Sequence, residues 1–287
     1  MMNLKKMTKV LLGCALVGAV FAGCGSGNRA QDLDPNERPK VGTLVHLNAS
    51  EEKFNDIMKR VDETWTGGFS FEYIYYDKLT DMQMGLESGK IKEMSVYDGV
   101  ARYLMDRNDK FAIAPHEGLD LSDSFCCAVR AFKKEDQVLK DALNGAIASM
   151  KEDGTLERLT KEYITDLKKG EQPPAVPMPV IEGAEPLKIA VTGDLPPLDL
   201  VLADGNAAGF NTAVLAEIGK RIGRNIEIVH VETGARASAL VSGKVDVVFW
   251  VAVPVGGSEI PEDIDKPEGV ELTVPYYHDK IVRVEKK

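Results

Sequence analysis

Ala239-Leu-Val-Ser-Gly-Lys-Val-Asp-Val-Val-Phe-Trp-Val251 is the stretch on which the fold turns. A helical run ends at Ser242. Gly243 can cap it, because glycine takes the left-handed conformation without a Cβ clash. The β-branched run from Val245 to Val251 then reads as a buried strand. Ile226-Glu-Ile-Val-His-Val231 is a strand-like run placed just before this unit. The same succession occurs earlier, where Phe71-Glu-Tyr-Ile-Tyr-Tyr76 leads to Met84-Gly-Leu-Glu-Ser-Gly-Lys-Ile91. Strand, helix, Ser-Gly-Lys and strand, used twice, predict right-handed βαβ units with parallel strands and two similar α/β lobes.

Periodicity places the other helices. Ser50 is an N-cap before the acidic first turn of Glu51 and Glu52, and Phe54, Ile57, Met58, Val61 and Trp65 share one face. A second helix starts at Asp136, with Leu139, Leu143, Ile147 and Met150 as its stripe. Asp153-Gly154 breaks it, and Thr155 starts a third with Leu156, Leu159 and Tyr163. Val214, Leu215, Ile218 and Ile222 form a fourth stripe, closed by Gly223. Stripes of this width are expected to cover a sheet. Between these helices, four Pro within residues 173–179 remove backbone donors and favour an extended spacer.

The chain has 287 residues, 44% hydrophobic and 28% charged, with formal charge −10 and pI near 5.1. These values exclude a disordered chain, a collagen-like repeat and a polytopic membrane protein. The acidic balance argues against nucleic acid as a partner. Four Cys make no disulfide framework. Cys126 and Cys127 are adjacent on an expected strand, so they point to opposite faces and read as buried thiols, the other reading being a vicinal disulfide or metal use. His46, His116, His230 and His278 have no metal-ligand spacing, and His230 reads as strand packing. No metal or cofactor is expected, and no Gly-x-Ser-x-Gly, Walker or His-Glu-x-x-His motif occurs.

Lys5, Lys6 and Lys9 precede a short apolar run from Val10 to Ala22, the pattern of a secretory signal. Phe21-Ala-Gly-Cys24 resembles a bacterial lipobox, which implies diacylation of Cys24 and a lipid anchor in the membrane. Cleavage before Cys24 removes three lysines and no acid, taking the charge from −10 to −13. Such a surface is repelled by anionic lipid, so the acyl chains must do the anchoring.

The segment after the Pro-rich spacer resembles the start of a bacterial extracellular solute-binding protein, family 3 type, the polar amino-acid ABC transporter group. The likeness is carried by Pro186-Leu-Lys-Ile-Ala-Val-Thr-Gly-Asp-Leu-Pro-Pro-Leu198, Asp204-Gly205, Gly209-Phe210, Glu217–Gly223, Leu240–Asp246, and Pro275-Tyr-Tyr277 with Lys280–Val284, in the family's order. The segment before the spacer resembles the rest of the family. Val41–Ser50, Leu86–Ile91 and Val96–Leu104 look like lobe 2. Phe125–Arg130, the helix at 136–150 and Asp153–Tyr163 look like the C-terminal return to lobe 1.

The resemblance implies a two-lobe α/β fold of the type II periplasmic-binding-protein kind, with the ligand in a cleft between lobes. Family members run lobe 1, lobe 2, then a return to lobe 1, so this order is circularly permuted. The expected division is 1–23 signal peptide, 24–39 tether, 40–123 lobe 2, 124–167 return segment of lobe 1, 168–185 linker and 186–287 opening segment of lobe 1. The alternative is two incomplete modules completed by swapping between chains.

The resemblance also assigns a site. Asp98 matches the family aspartate that pairs with the ligand's ammonium, or is a turn residue capping the next helix. Asn48 and Ser50 match a helix start that binds the ligand carboxylate, or form a plain N-cap. Asp194 either touches ligand or shapes its own turn. Leu198 stands where the family has a capping aromatic. Trp250 offers a flat apolar or cation–π wall, or is a core residue at a strand end. Arg236 lies where some members place a helix Arg, although its run favours a solvated helix face. After Val251 the family's Thr-x-Thr-x-x-Arg, whose Arg grips an α-carboxylate, is missing. Four acids stand there instead, Glu259, Glu262, Asp263 and Asp265, which argues against a standard α-amino-acid clamp.

The resulting expectation is an extracytoplasmic lipoprotein that captures a small polar, amino-acid-like ligand for an ABC transporter permease. It is expected not to be an enzyme. The alternatives are a ligand sensor without a transport role, and a dehydratase-like enzyme on the same fold. The enzyme would need a general acid and base from Asp98, Asp194 and Glu259.

Overall fold

The computed structural model describes residues 38–66, 71–116, 121–255 and 260–287. The expected signal peptide, Cys24 and most of the tether lie outside the described residues, as does Glu259. Lobe 2 opens with β1 (Lys40–Leu44), α1 (Glu51–Thr66), β2 (Glu72–Tyr76), α2 (Leu79–Ser88), β3 (Glu93–Tyr97), α3 (Asp98–Met105) and β4 (Phe111–Ile113). Strand β5 (Ser122–Arg130) carries the chain into lobe 1, followed by α4 (Lys134–Glu152), α5 (Thr155–Thr160) and a π-helical turn (Lys161–Thr165). After the linker come β6 (Pro186–Val191), β7 (Asp194–Leu195), β8 (Asp199–Val201), β9 (Ala207–Ala208), α6 (Phe210–Ile222) and β10 (Asn225–His230). A 3-10 turn (Thr233–Ala235), α7 (Arg236–Val241), β11 (Val247–Pro254) and β12 (Val270–Leu272) follow, and β13 (Tyr277–Lys286) returns to lobe 2.

The two lobes repeat one topology. In lobe 2, β1 lies between β2 and β3, all parallel, and β13 runs antiparallel beside β3. In lobe 1, β6 lies between β10 and β11, all parallel, and β5 runs antiparallel beside β11. The repeated Ser-Gly-Lys sits at the same place in each: Gly89 (φ 77°) and Gly243 (φ 76°) are both left-handed where the helix gives way to the next parallel strand. Two connections pass between the lobes, the chain that enters β5 and β13, and among the described strands only β13 pairs in both sheets. Residues 277–280 of β13 pair with β5, and residues 281–285 pair with β3.

Leu143, Ile147 and Met150 of α4 and Val214, Leu215 and Ile218 of α6 are buried over the lobe 1 sheet. Met82, Leu86 and Val100 do the same in lobe 2. Each such side chain contributes about 1.5–3 kcal/mol. Cys126 and Cys127 are buried free thiols. His230 is exposed, because β10 is an edge strand, and its ring lies over Gly193.

Two elements depart from expectation. The α1 stripe of Ile57, Met58 and Val61 packs on Ile260 and Ile264, from the loop between β11 and β12, with Tyr73 and Leu121 alongside. That loop supplies the apolar cover that a sheet was expected to supply. The side chain of Trp65 lies outside the described residues. The Pro-rich linker is extended but held against the protein. The Val176 N–H donates to the Ala207 carbonyl at 3.0 Å, and the Asn225 amide bonds Ile181 and Ala184.

Candidate functional site

A cavity of about 140 Å³ lies where the lobes meet. Strand ends open onto it, as is usual for ligand crevices in parallel sheets. Lobe 2 supplies the chain from Thr43 to Leu47, Tyr73 and the β3 end at Ser95–Tyr97. Lobe 1 supplies Thr192, Asp194, Thr233, Arg236 and Trp250–Ala252. Strands β5 and β13 supply Asp123, Ile281 and Arg283, and the loop after β11 supplies Ile260, Ile264 and Asp265.

The walls are aromatic and acidic. The ring of Tyr97 meets Trp250 edge-on at 5.8 Å, and Phe125 stands behind both. The Tyr97 hydroxyl donates to Asp123 Oδ2 at 2.8 Å. Burial pushes the Asp123 carboxyl up to about 6, against the Tyr97 hydrogen bond, and the nearby Asp265 charge adds to the rise. Burial also raises Asp194, although the Leu79 N–H, the Thr192 hydroxyl and Arg236 act the other way. Burial lowers the His46 imidazole, and the Asp265 charge opposes this.

Both cations of the cavity are engaged. Arg236 is 3% exposed, its Nη1 donates to the Trp250 carbonyl at 2.9 Å, and Asp199, Asp265 and Asp194 offset its charge. Arg283 donates through Nη2 to the Tyr73 hydroxyl at 2.8 Å and pairs with Glu93 at 3.7 Å. The Tyr73 hydroxyl in turn donates to Asp62 at 3.0 Å.

The start of α1 is already occupied. The N–H groups of Leu47, Asn48 and Ala49 donate to the Asp265 carboxylate at 2.8, 2.6 and 2.9 Å. Three convergent donors at a helix start form an anion seat, and the anion in it belongs to the protein.

Of the residues expected at the site, Asp194 and Trp250 line the cavity. Ser50 caps α1, its Oγ accepting the Lys53 N–H at 3.2 Å. The Asn48 side chain donates to the Lys266 carbonyl. Leu198 is 1% exposed and packs in the core. Asp98 is not among the lining residues; it receives Arg102 Nε at 2.8 Å on the outer turn of α3. Arg236 is buried in the cavity wall, not on a solvated face. A six-residue helix is too short for periodicity to define its faces. The sequence reading did not single out Tyr73, Tyr97, Asp123 or Arg283. A usable signal lay in β3, where Tyr97 directly precedes Asp98 at the strand's cavity end.

Residues 187–252 match the family model of bacterial extracellular solute-binding proteins, family 3. They span β6 to most of β11, including the Asp194, Arg236 and Trp250 wall of the cavity. No curated protein matches the chain in sequence. Among solved structures, the chain is similar to a zinc-bound ligand-binding component of an ABC-type import system from Staphylococcus aureus. The TM-score is 0.43 at 11% identity, covering 86% of this chain and 65% of that one, just under two thirds of its length. The GluR0 ligand-binding core from Nostoc punctiforme in complex with L-glutamate is similar at TM-score 0.39 and 12% identity, covering 87% and 85%. A nutrient binding protein from Burkholderia cenocepacia bound to methionine scores 0.39 at 12% identity, covering 86% and 84%.

Proposed function

We propose that this chain, whose residues 187–252 carry the family 3 solute-binding signature, is an extracytoplasmic solute-binding lipoprotein. It captures a small, amino-acid-like ligand between its lobes and presents it to an ABC-type permease. Cys24 carries the lipid anchor. The division into tether, lobe 2, return segment, linker and lobe 1 opening is a circular permutation of the family's order. We read the protein as a binding protein and not as an enzyme.

The observation that carries this reading is the cavity. It lies between two lobes joined by β13 and the chain entering β5, an arrangement that lets closure bury a ligand. One of its walls is the family-matched segment. Asp123, Asp194, Tyr97 and Trp250 are the ligand contacts we assign; Asn48 and Ser50 shape the start of α1, Leu198 packs in the core, and Asp98 lies off the site. A thermal-shift screen of amino acids, amines and small peptides tests the reading. A stabilising ligand is expected, and Asp123→Asn should weaken its effect while Asp98→Ala leaves it intact. A screen in which no small molecule of any class stabilises the protein would overturn the reading.

A further inference from the structure

The strongest unexplained feature is the carboxylate that the chain places in its own anion seat. Asp265 comes from the loop between β11 and β12, enters the cavity wall, and takes all three N–H groups of residues 47–49. Ile264 is anchored on the stripe of α1, so the seat is held by packing as well as by hydrogen bonds. An incoming carboxylate would have to expel this loop. The alternative cations for a carboxylate are both offset: Arg236 faces the charges of Asp199, Asp265 and Asp194, and Arg283 is paired with Glu93 at 3.7 Å and bound to the Tyr73 hydroxyl.

Other polar atoms in the wall are unmet. Arg236 Nε and Trp250 Nε1 are buried with no acceptor among the described residues. Both can only donate. Asp123 accepts one hydrogen bond from Tyr97, and a carboxylate has about four acceptor positions. The wall therefore offers anionic acceptors and, on Trp250 and the charge-offset Arg236, two buried donors that lack an acceptor.

We propose that the cavity takes a small amine whose other polar end is an uncharged oxygen, an amino alcohol or amino-acid amide, in place of a free α-amino acid. The ammonium pairs with Asp123 and Asp194. The hydroxyl or amide oxygen receives the Trp250 and Arg236 donors. The apolar body lies against Tyr97 and Trp250. A volume of about 140 Å³ suits a body of benzene-like size, comparable with the ~150 Å³ cavity that admits benzene. This inference rests on the solute-binding reading and names the ligand class of that same site.

Isothermal titration calorimetry with valinamide, valinol and valine tests it. The amide or the alcohol is expected to bind at least about tenfold more tightly than the acid, since a misplaced charge beside unpaired groups is costly. Asp265→Ala empties the anion seat and should shrink that preference about tenfold or reverse it by admitting valine. Asp265→Asn, which keeps the side chain's shape, serves if the alanine variant does not fold. Tighter binding of valine to the unaltered protein would overturn the inference and leave the solute-binding reading standing. So would a different ligand class found by the thermal-shift screen with no heat from these three probes. A screen without any ligand would remove both.

Discussion

Asp123 is a cavity residue whose chemistry is displaced by its surroundings. Its carboxyl is raised from an ordinary 3.8 to about 6, chiefly by burial. The groups facing it are the Tyr97 hydroxyl, which favours the charged form, and the Asp265 carboxylate, which opposes it. A raised carboxyl contributes stability that is fully present below its unfolded value and is lost as pH rises through the folded value. The protein should therefore lose about 2–3 kcal/mol between pH 4 and pH 7 through this residue. Asp62, Asp194, Asp199 and Asp279 are raised in the same direction. His46 is lowered, and acts oppositely as pH falls through its unfolded 6.5. Asp123→Asn should raise the melting temperature at pH 7.5 and flatten, without abolishing, its decline from pH 5 to 7.5. A melting curve whose pH dependence is unchanged in the variant would contradict the assignment. Arg283 is the converse case. At 2% exposure it links Glu93 and the Tyr73–Asp62 pair. Arg283→Met strands those carboxylates and should cost about 3–5 kcal/mol in a urea melt. Neither residue announces itself in the sequence: one Asp and one Arg in β-strands read like any alternating polar position.

At the scale of elements, two helices of lobe 2 begin on a carboxylate from beyond that lobe's own helices. Asp265 holds the start of α1. The Gly99 N–H of α3 donates to Asp279 at 3.2 Å. A negative group at a helix N-terminus satisfies orphan donors and meets the helix dipole. These two contacts tie the start of α1 and the start of α3 to segments outside them. Asp265→Ala leaves the N–H groups of residues 47–49 without that acceptor, and should lower stability of the unliganded protein by about 1–2 kcal/mol in a chemical melt. The helices and strands themselves were legible, because their stripes, caps and Ser-Gly-Lys turns are local. These ties were not. Asp265 is separated by 216 to 218 residues from its three partners, and no periodicity reports a contact of that range. The same holds for the apolar cover of α1. Ile260 and Ile264 lie in a Pro-containing acidic run that resembles a loop in sequence and packs like a core in the structure.

For the whole molecule, the chain order and the lobe architecture make separate statements. The twofold use of strand, helix, Ser-Gly-Lys and strand foretold two lobes, and the lobes do share one topology. The cavity's composition was only half legible, since Asp194 and Trp250 come from the recognisable segment while Tyr97, Asp123 and Arg283 depend on how β3, β5 and β13 pair. The proposed permutation makes a stronger demand. It requires that the present ends could be joined and the linker opened without disturbing either lobe. Register supports this: Val41 and Glu285 both stand opposite Glu93, one on each side of β3. Two strand spacings put them about 10 Å apart. A bridge of about five Gly and Ser residues from Lys287 to Lys40 spans that gap with slack. A chain so joined and opened between Lys169 and Gly170, starting in lobe 1 as family 3 proteins do, should fold to a monomer. Its melting temperature should stay within about 5 °C of the parent, a shift of about 2 kcal/mol or less. Size-exclusion chromatography and a thermal melt check both points. An unfolded product, or a dimer formed only by the parent order, would favour modules completed by exchange between chains.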